Sequence, residues 1–373
     1  MIYFDNAATG GFKAANVTEA AVNAVKYLCA NPGRSGHRLS LTGAKIVLRA
    51  RMSLAELFGA DDADRVIFTK NATEALNLAL AGTVKKNGHV VTTVYEHNSV
   101  LRTLTHLKEE YDIRVSVTDG TPEGIARALE EDTCLVMVNH VSNVTGREAD
   151  LAGIGKVLQG KNILFACDAA QSAGHTGIDM KKCGVNLLCA AGHKGMGGIM
   201  GSGFLIFDKK AEVRPVLFGG TGTESLNVSQ PEFYPERLES GTLNLPAIAA
   251  LGEAAENVAP NLKIFSETLF TLTDALIGEL KKIDGVRIYS EPNRFGIVSF
   301  SSAAAPSAAV ADVLSSEYDI AVRGGLHCAP LVHKSLGTER EGLVRVSFAP
   351  QNSLREISAF AKAMHRISLG SAL

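Results

Sequence analysis

Seven short apolar runs rich in β-branched residues punctuate the chain between about residues 65 and 207: RVIFT, HVVTTV, IRVSVT, CLVMVN, NILFAC, NLLCA and GFLIF. Longer stretches that suit helices separate them, which is the pattern of a mostly parallel sheet covered by helices on both faces. In such sheets ligands bind beyond the carboxyl ends of the strands. The polar residues that follow the runs are therefore the first candidates: Asn71 to Thr73, Glu96 to Asn98, Asn139 to Gly146, Asp168 to Gln171 and Gly192 to Lys194. A purely structural sheet does not need polar side chains at so many strand ends.

An irregular stretch with Gly and Pro fills residues 208–250. From about Pro246 a helical pattern, AIAALGEAAENV and then LKIFSETLFTLTDALIGELKKI, leads to a second set of strands, VRIYS, GIVSF, IAVRG and VRVSF, with a closing helix after Asn352. The expected architecture is α/β. A large domain over residues 13–250 carries a mostly parallel seven-stranded sheet flanked by helices, a smaller α+β C-terminal domain covers 251–373, and the N-terminal segment 1–12 joins them. A length of 373 residues agrees with two domains, because single cores stop growing near 250–300 residues, roughly.

Composition narrows the function. Hydrophobic residues at 46% and charged residues at 20% are ordinary for a globular enzyme. Lys plus Arg at 37 against Asp plus Glu at 39 leaves a formal charge of −2, so no basic balance recommends nucleic acid or an acidic membrane. A small-molecule partner is expected. The opening MIYFDNAATG has neither a basic leader nor a long apolar stretch, and no run approaches the roughly 20 residues of a membrane span. A cytoplasmic setting is expected. The six cysteines, Cys29, Cys134, Cys167, Cys183, Cys189 and Cys328, contain no C-x-x-C pair, so neither a disulfide framework nor a zinc site is indicated.

ILFACDAAQSAGH and LLCAAGHKGMGG place Asp168 and Lys194 just beyond two apolar strands. A lysine leaving a buried strand can be desolvated, which favours the neutral amine that forms a Schiff base. An acid at a nearby strand end could keep a pyridine nitrogen protonated. A structural Asp–Lys ion pair is the alternative. KNATEALNLAL opens a helix with Asn71 or Thr73 as N-cap, and free backbone N–H groups there would suit a phosphate, although most such starts bind nothing. The glycines after Lys194 do not complete a dinucleotide loop, because Met200 stands where G-x-G-x-x-G requires glycine. Near the C-terminal end, AVRGGLHCAPLVHKSLG sets Cys328 beside His327 in a loop flanked by Gly and Pro. A thiol exposed near His or Arg is a candidate nucleophile. Cys328, His327 and His333 lack a fourth ligand for a metal site. Arg345, inside GLVRVSFAP, is either a carboxylate ligand in a buried strand or a surface arginine on an edge.

Taken together these segments resemble the cysteine desulfurase family, within the class V aminotransferases of pyridoxal-phosphate (PLP) fold type I. The resemblance runs from YFDNAAT to the last strand and is carried by EHNS at 96–99, SNVTG at 142–146, DAAQ at 168–171, GHK at 192–194, ESGTLN at 239–244 and RGGLHCA at 323–329. The R-x-G-x-H-C-A form resembles the family's second group, in which a separate protein often receives the sulfur. The resemblance implies PLP as cofactor, with Lys194 as the Schiff-base lysine, Asp168 on the pyridine nitrogen, Gln171 on the ring oxygen and His97 stacked on the ring. It implies phosphate ligands at Ala72, Thr73 and His193, and a further one at Thr221 supplied across a homodimer. Asn143 and Arg345, with Arg323 close by, would hold the substrate carboxylate, and Cys328 would take the sulfur. L-cysteine or L-selenocysteine would be the substrate, a sulfur-acceptor protein a partner, and iron–sulfur cluster assembly one use of the sulfur. A selenocysteine lyase, or an aminotransferase or β-lyase that does not use Cys328, are the alternatives on the same fold. The chain departs from the family at Ala191, where Ser or Thr is usual, and at Gly198, which replaces the proline of K-x-x-G-P. One phosphate hydrogen bond is therefore expected to be missing.

Overall fold

The computed structural model describes residues 1–28 and 30–370; Cys29, among the cysteines named above, lies outside them. Each of the seven apolar runs becomes a strand of one sheet: β2 (Val66–Thr69), β3 (His89–Thr93), β4 (Arg114–Thr118), β5 (Thr133–Asn139), β6 (Leu164–Asp168), β7 (Leu187–Ala191) and β8 (Gly203–Phe207), following a short β1 (Ile2–Tyr3). The order is β2-β8-β7-β6-β5-β3-β4. β8 runs antiparallel to both neighbours, and the remaining pairs are parallel.

Six of the seven strands are buried along most of their length because both faces are covered, whereas the edge strand β4 is partly exposed. Along β7 and β8, Leu188, Ala190, Phe204 and Ile206 pack into one core with the helices Arg38–Phe58 and Leu245–Val258. The alternate residues Leu187, Cys189, Leu205 and Phe207 pack into another with the helix Ala72–Thr83. The expected division at residue 250 falls inside the helix Leu245–Val258, whose Ile248, Leu251 and Ala255 belong to the first of these cores.

The C-terminal strands are β9 (Val286–Ile288), β10 (Ile297–Ser302), β11 (Ile320–Ala321) and β12 (Val344–Ser347). An antiparallel sheet of order β12-β10-β9 packs with the helices Leu262–Leu280 and Leu354–Ser368 around a third core, and Phe4 from the N-terminus is part of it. The run IAVRG, expected among these strands, forms β11, which pairs in parallel with β1, and Arg323 just after it reaches β12 through a bridge at Arg345. The N-terminal segment and the residues after β11 thus meet beside Arg345. No helix among the described residues is long and apolar enough to cross a membrane.

Candidate active site

β6 and β7 lie side by side and parallel, so the residues beyond their carboxyl ends share one cleft. About 480 Å³ of empty space opens there, lined by Ala72, Thr73, His97, Asn143, Asp168, Gln171, Ala191, His193 and Lys194, among others. Eight of the residues expected from sequence therefore converge in one cavity drawn from five strand ends.

Asp168 is buried, and its Oδ1 accepts from Ala170 N at 2.9 Å. Burial pushes its pKa up, opposed by that amide and by Lys194. Among the described residues Asp168 takes part in no salt bridge, and a buried carboxylate without a paired cation is costly. Lys194 is the complementary case. Burial lowers its pKa to about 8, Asp168 opposes the shift, and Arg345 and Arg323 reinforce it. Cys328 is close enough to act on the same amine electrostatically.

His97 caps the helix Asn98–Tyr111: its Nδ1 accepts from Ser99 N at 3.0 Å, which leaves the ring proton on Nε2. Burial and the surrounding cations, Lys194 first, hold its pKa at about 4, so the ring is neutral at physiological pH. The helix Ala72–Thr83 begins at the cavity behind its N-cap Asn71, whose side chain accepts from Glu74 N at 3.0 Å. Thr73 Oγ1 lies 2.8 Å from Ser99 Oγ, and His193 Nδ1 lies 3.0 Å from Thr9 Oγ1. Gln171 Nε2 donates to Ala7 O at 3.0 Å. Ala191 lines the cavity without a hydroxyl to offer.

The remaining expected residues stand on the C-terminal side. Arg345 is fully buried within β12; its Nη2 pairs with Asp5 Oδ1 at 2.9 Å and its Nη1 donates to Asn143 O at 3.0 Å. Asn143 Nδ2 donates to His327 O at 2.7 Å. Arg345 Nε and Asn143 Oδ1 are buried without partners. Cys328 is exposed, with Sγ 4.0 Å from Arg323 Nη2. Thr221 does not line the cavity; it is buried in the stretch after β8, with its Oγ1 3.2 Å from Thr223 Oγ1.

These groups fit pyridoxal phosphate. Asp168 is an unpaired buried acid suited to a protonated ring nitrogen, Lys194 an amine whose charged form burial disfavours, and the helix start at Ala72 and Thr73 a place for a phosphate. The family profile described as Aminotransferase class-V matches residues 2–360, and the chain belongs to this family. It is similar to a probable cysteine desulfurase of Methanothermobacter thermautotrophicus, 33% identical over 94% of this chain and 91% of that protein. A probable cysteine desulfurase of Pyrococcus abyssi is 32% identical over 98% of this chain and 94% of its own. The solved apo structure of cysteine desulfurase from Thermococcus onnurineus NA1 superposes with a TM-score of 0.90 at 32% identity, covering 99% of this chain and 95% of that one. Within the family the chain thus falls in the cysteine desulfurase group, and it is a PLP-dependent enzyme.

Some residues of the site carried no assigned role in the sequence. Asp5 pairs with Arg345, and its one signal is the opening YFDN, an acid directly after an apolar strand. Glu96, the first residue of EHNS, is fully buried; its Oε1 accepts from Thr93 Oγ1 and Asn139 N, both at 2.8 Å. It ties the turn that bears His97 to the end of β5. Glu239 of ESGTLN lies away from the cavity, paired with buried Arg51 and accepting from Phe68 N at 2.7 Å.

Proposed function

We propose that this enzyme removes sulfur from L-cysteine, releases L-alanine and leaves a persulfide on Cys328. The observation that carries the reading is the exposed Cys328 thiol beside Arg323, within electrostatic reach of both Lys194 and Arg345, whereas Cys167 and Cys189 are buried in the sheet. Arg345 binds the substrate carboxylate through its Nε–H, a buried donor without a partner, and Asn143 holds the same guanidinium by accepting from Nη1 with its backbone oxygen. Bound pyridoxal phosphate, attached at Lys194 and kept cationic by Asp168, supplies an electron sink for the pair left at Cα. The substrate amine takes the place of Lys194 on the cofactor, and the freed Lys194 amine takes the Cα proton, which its lowered pKa suits. The Cys328 thiolate then attacks the substrate sulfur. A sulfur–sulfur bond forms, the carbon–sulfur bond breaks with its pair to Cβ, and protonation at Cβ with return of a proton to Cα gives alanine, so no outside oxidant or reductant is needed.

Wild-type enzyme mixed with cysteine and quenched with an alkylating agent should show one added sulfur on the Cys328 peptide by mass spectrometry. Cys328→Ala should retain the cofactor and lose nearly all cysteine desulfuration, while changes at Cys134, Cys167, Cys183 and Cys189 should not. Alanine accumulating without a persulfide would hand the site to a β-lyase that bypasses Cys328. The same groups serve L-selenocysteine, and because selenide leaves more readily, substantial residual lyase activity of Cys328→Ala would mark that substrate.

The reading includes a homodimer in which Thr221 reaches the neighbouring subunit's phosphate site, and a separate protein that accepts the persulfide sulfur. It is supported by Leu217, Phe218, Leu226 and Val228, which are exposed beside Thr221, since clustered apolar side chains at a surface suit association. Light scattering at assay concentration decides it, and a fully active monomer contradicts it.

A further inference from the structure

Two consecutive residues with side chains, His327 and Cys328, occupy the left-handed region, with φ of 50° and 58°. Residues with a Cβ persist there only when their surroundings hold them. Hydrogen bonds from three separate parts of the chain do so. His327 Nε2 bonds to Leu343 O at 2.9 Å, Asn143 Nδ2 to His327 O at 2.7 Å, and Asn98 N to Cys328 O at 2.7 Å. A carbonyl only accepts, so the proton of His327 is on Nε2.

Leu343 stands two residues before Arg345, and Arg345 Nη1 donates to Asn143 O at 3.0 Å. The bonds therefore close a circuit from Arg345 to Asn143, to His327, to Leu343 and back along the chain to Arg345. The groups that would hold the carboxylate and the bend that presents the thiol are one hydrogen-bonded unit. Gly325 reinforces it, because its N and O both pair with Leu343.

We propose that His327 is a positioning residue for the nucleophile: its imidazole latches the Cys328 bend onto the strand of Arg345, fixing the thiol relative to the substrate carboxylate. The inference rests on Cys328 being the nucleophile, as proposed above. A proton-carrying role suits His327 less well. Its Nε2 proton is already committed to Leu343, its Nδ1 is buried without a partner, and burial drives its pKa down to about 2.

Two substitutions separate the latch from bulk. In His327→Gln the amide N–H reaches about as far as Nε2, whereas in His327→Asn it falls short, although Asn tolerates the left-handed backbone well. Both holoenzymes would be assayed for kcat and KM with cysteine, and for the rate at which iodoacetamide alkylates Cys328 without substrate. The Asn variant should lose about tenfold or more in kcat with KM within about threefold, and should alkylate at a changed rate, while the Gln variant should stay within about threefold of wild type in all three. Wild-type kcat and alkylation in the Asn variant would overturn the proposal, and so would a Gln variant as impaired as the Asn one. If the Asn variant does not fold, a Gln variant departing more than about threefold from wild type overturns it. Alkylation needs no turnover: a changed rate in the Asn variant, with no persulfide in the wild type, would support the latch and remove the desulfurase reading.

Discussion

Asp5 and Arg345 stand 340 residues apart in sequence, and their charged groups meet at 2.9 Å. β1 brings Asp5 to β12 and so places the N-terminal segment beside Arg345, the proposed carboxylate ligand. Arg345→Ala should lower kcat/KM for cysteine by about 100-fold or more, mainly through KM, because a desolvated bidentate pair is hard to replace. The cofactor spectrum should not change. Asp5→Asn keeps an acceptor oxygen near Nη2 and should cost less, about tenfold at most. Steady-state kinetics measure both; wild-type values in both variants would assign the carboxylate to Arg323.

For Lys194 the pH dependence has a definite sign. Burial lowers its pKa from 10.5 to about 8, so the amine is charged below that pH and neutral above it. Uptake of pyridoxal phosphate by apoenzyme should accelerate as pH rises through about 8 and then level off. Stopped-flow absorbance follows it. Borohydride reduction should then leave the cofactor mass on the Lys194 peptide, and a label elsewhere would refute the attachment.

Glu96 should make stability pH-dependent in the opposite sense. Burial raises its pKa from 4.5 to about 8, with Asp168 adding to the shift. A carboxyl raised in this way favours the fold fully below about 4.5 and loses that contribution as pH rises through about 8. Glu96→Gln keeps the acceptor for Thr93 and Asn139 without the charge. The variant should gain thermal stability relative to wild type between pH 6 and pH 9, roughly, and a difference in Tm independent of pH would show that Glu96 does not titrate there.

Arg51 and Glu239 form a buried pair 2.5 Å apart that joins the helix Arg38–Phe58 to the ESGTLN segment. Removing one partner strands a buried charge, so Glu239→Ala should destabilise the fold by about 3–5 kcal/mol. Chemical denaturation measures it. A loss below about 1 kcal/mol would place the pair among surface-like contacts.

The sheet could be read from the sequence because its signal is local. A strand buried on both faces is largely apolar along its length, so six such runs, with the alternating RVSVT of the edge strand, marked seven strands, and the polar residues after them marked the cavity. Asp168 and Lys194 needed no more than that, since parallel neighbours place their carboxyl ends together. The run IAVRG was read as a strand for the same reason, but its partner depended on which edges other strands had taken, and no periodicity records that.

What the tertiary structure alone decided lies where distant segments meet. Asp5 finds Arg345 because β1 and β11 pair, and His327 is held by the backbone oxygen of Leu343. A carbonyl is the same group at every position and leaves no mark in the sequence. The left-handed turn at His327 and Cys328 is likewise invisible in residue type, since neither is glycine. The residues of the site were set by local chemistry; their mutual positions were set by which chain ends and loops the packed cores brought into hydrogen-bonding range.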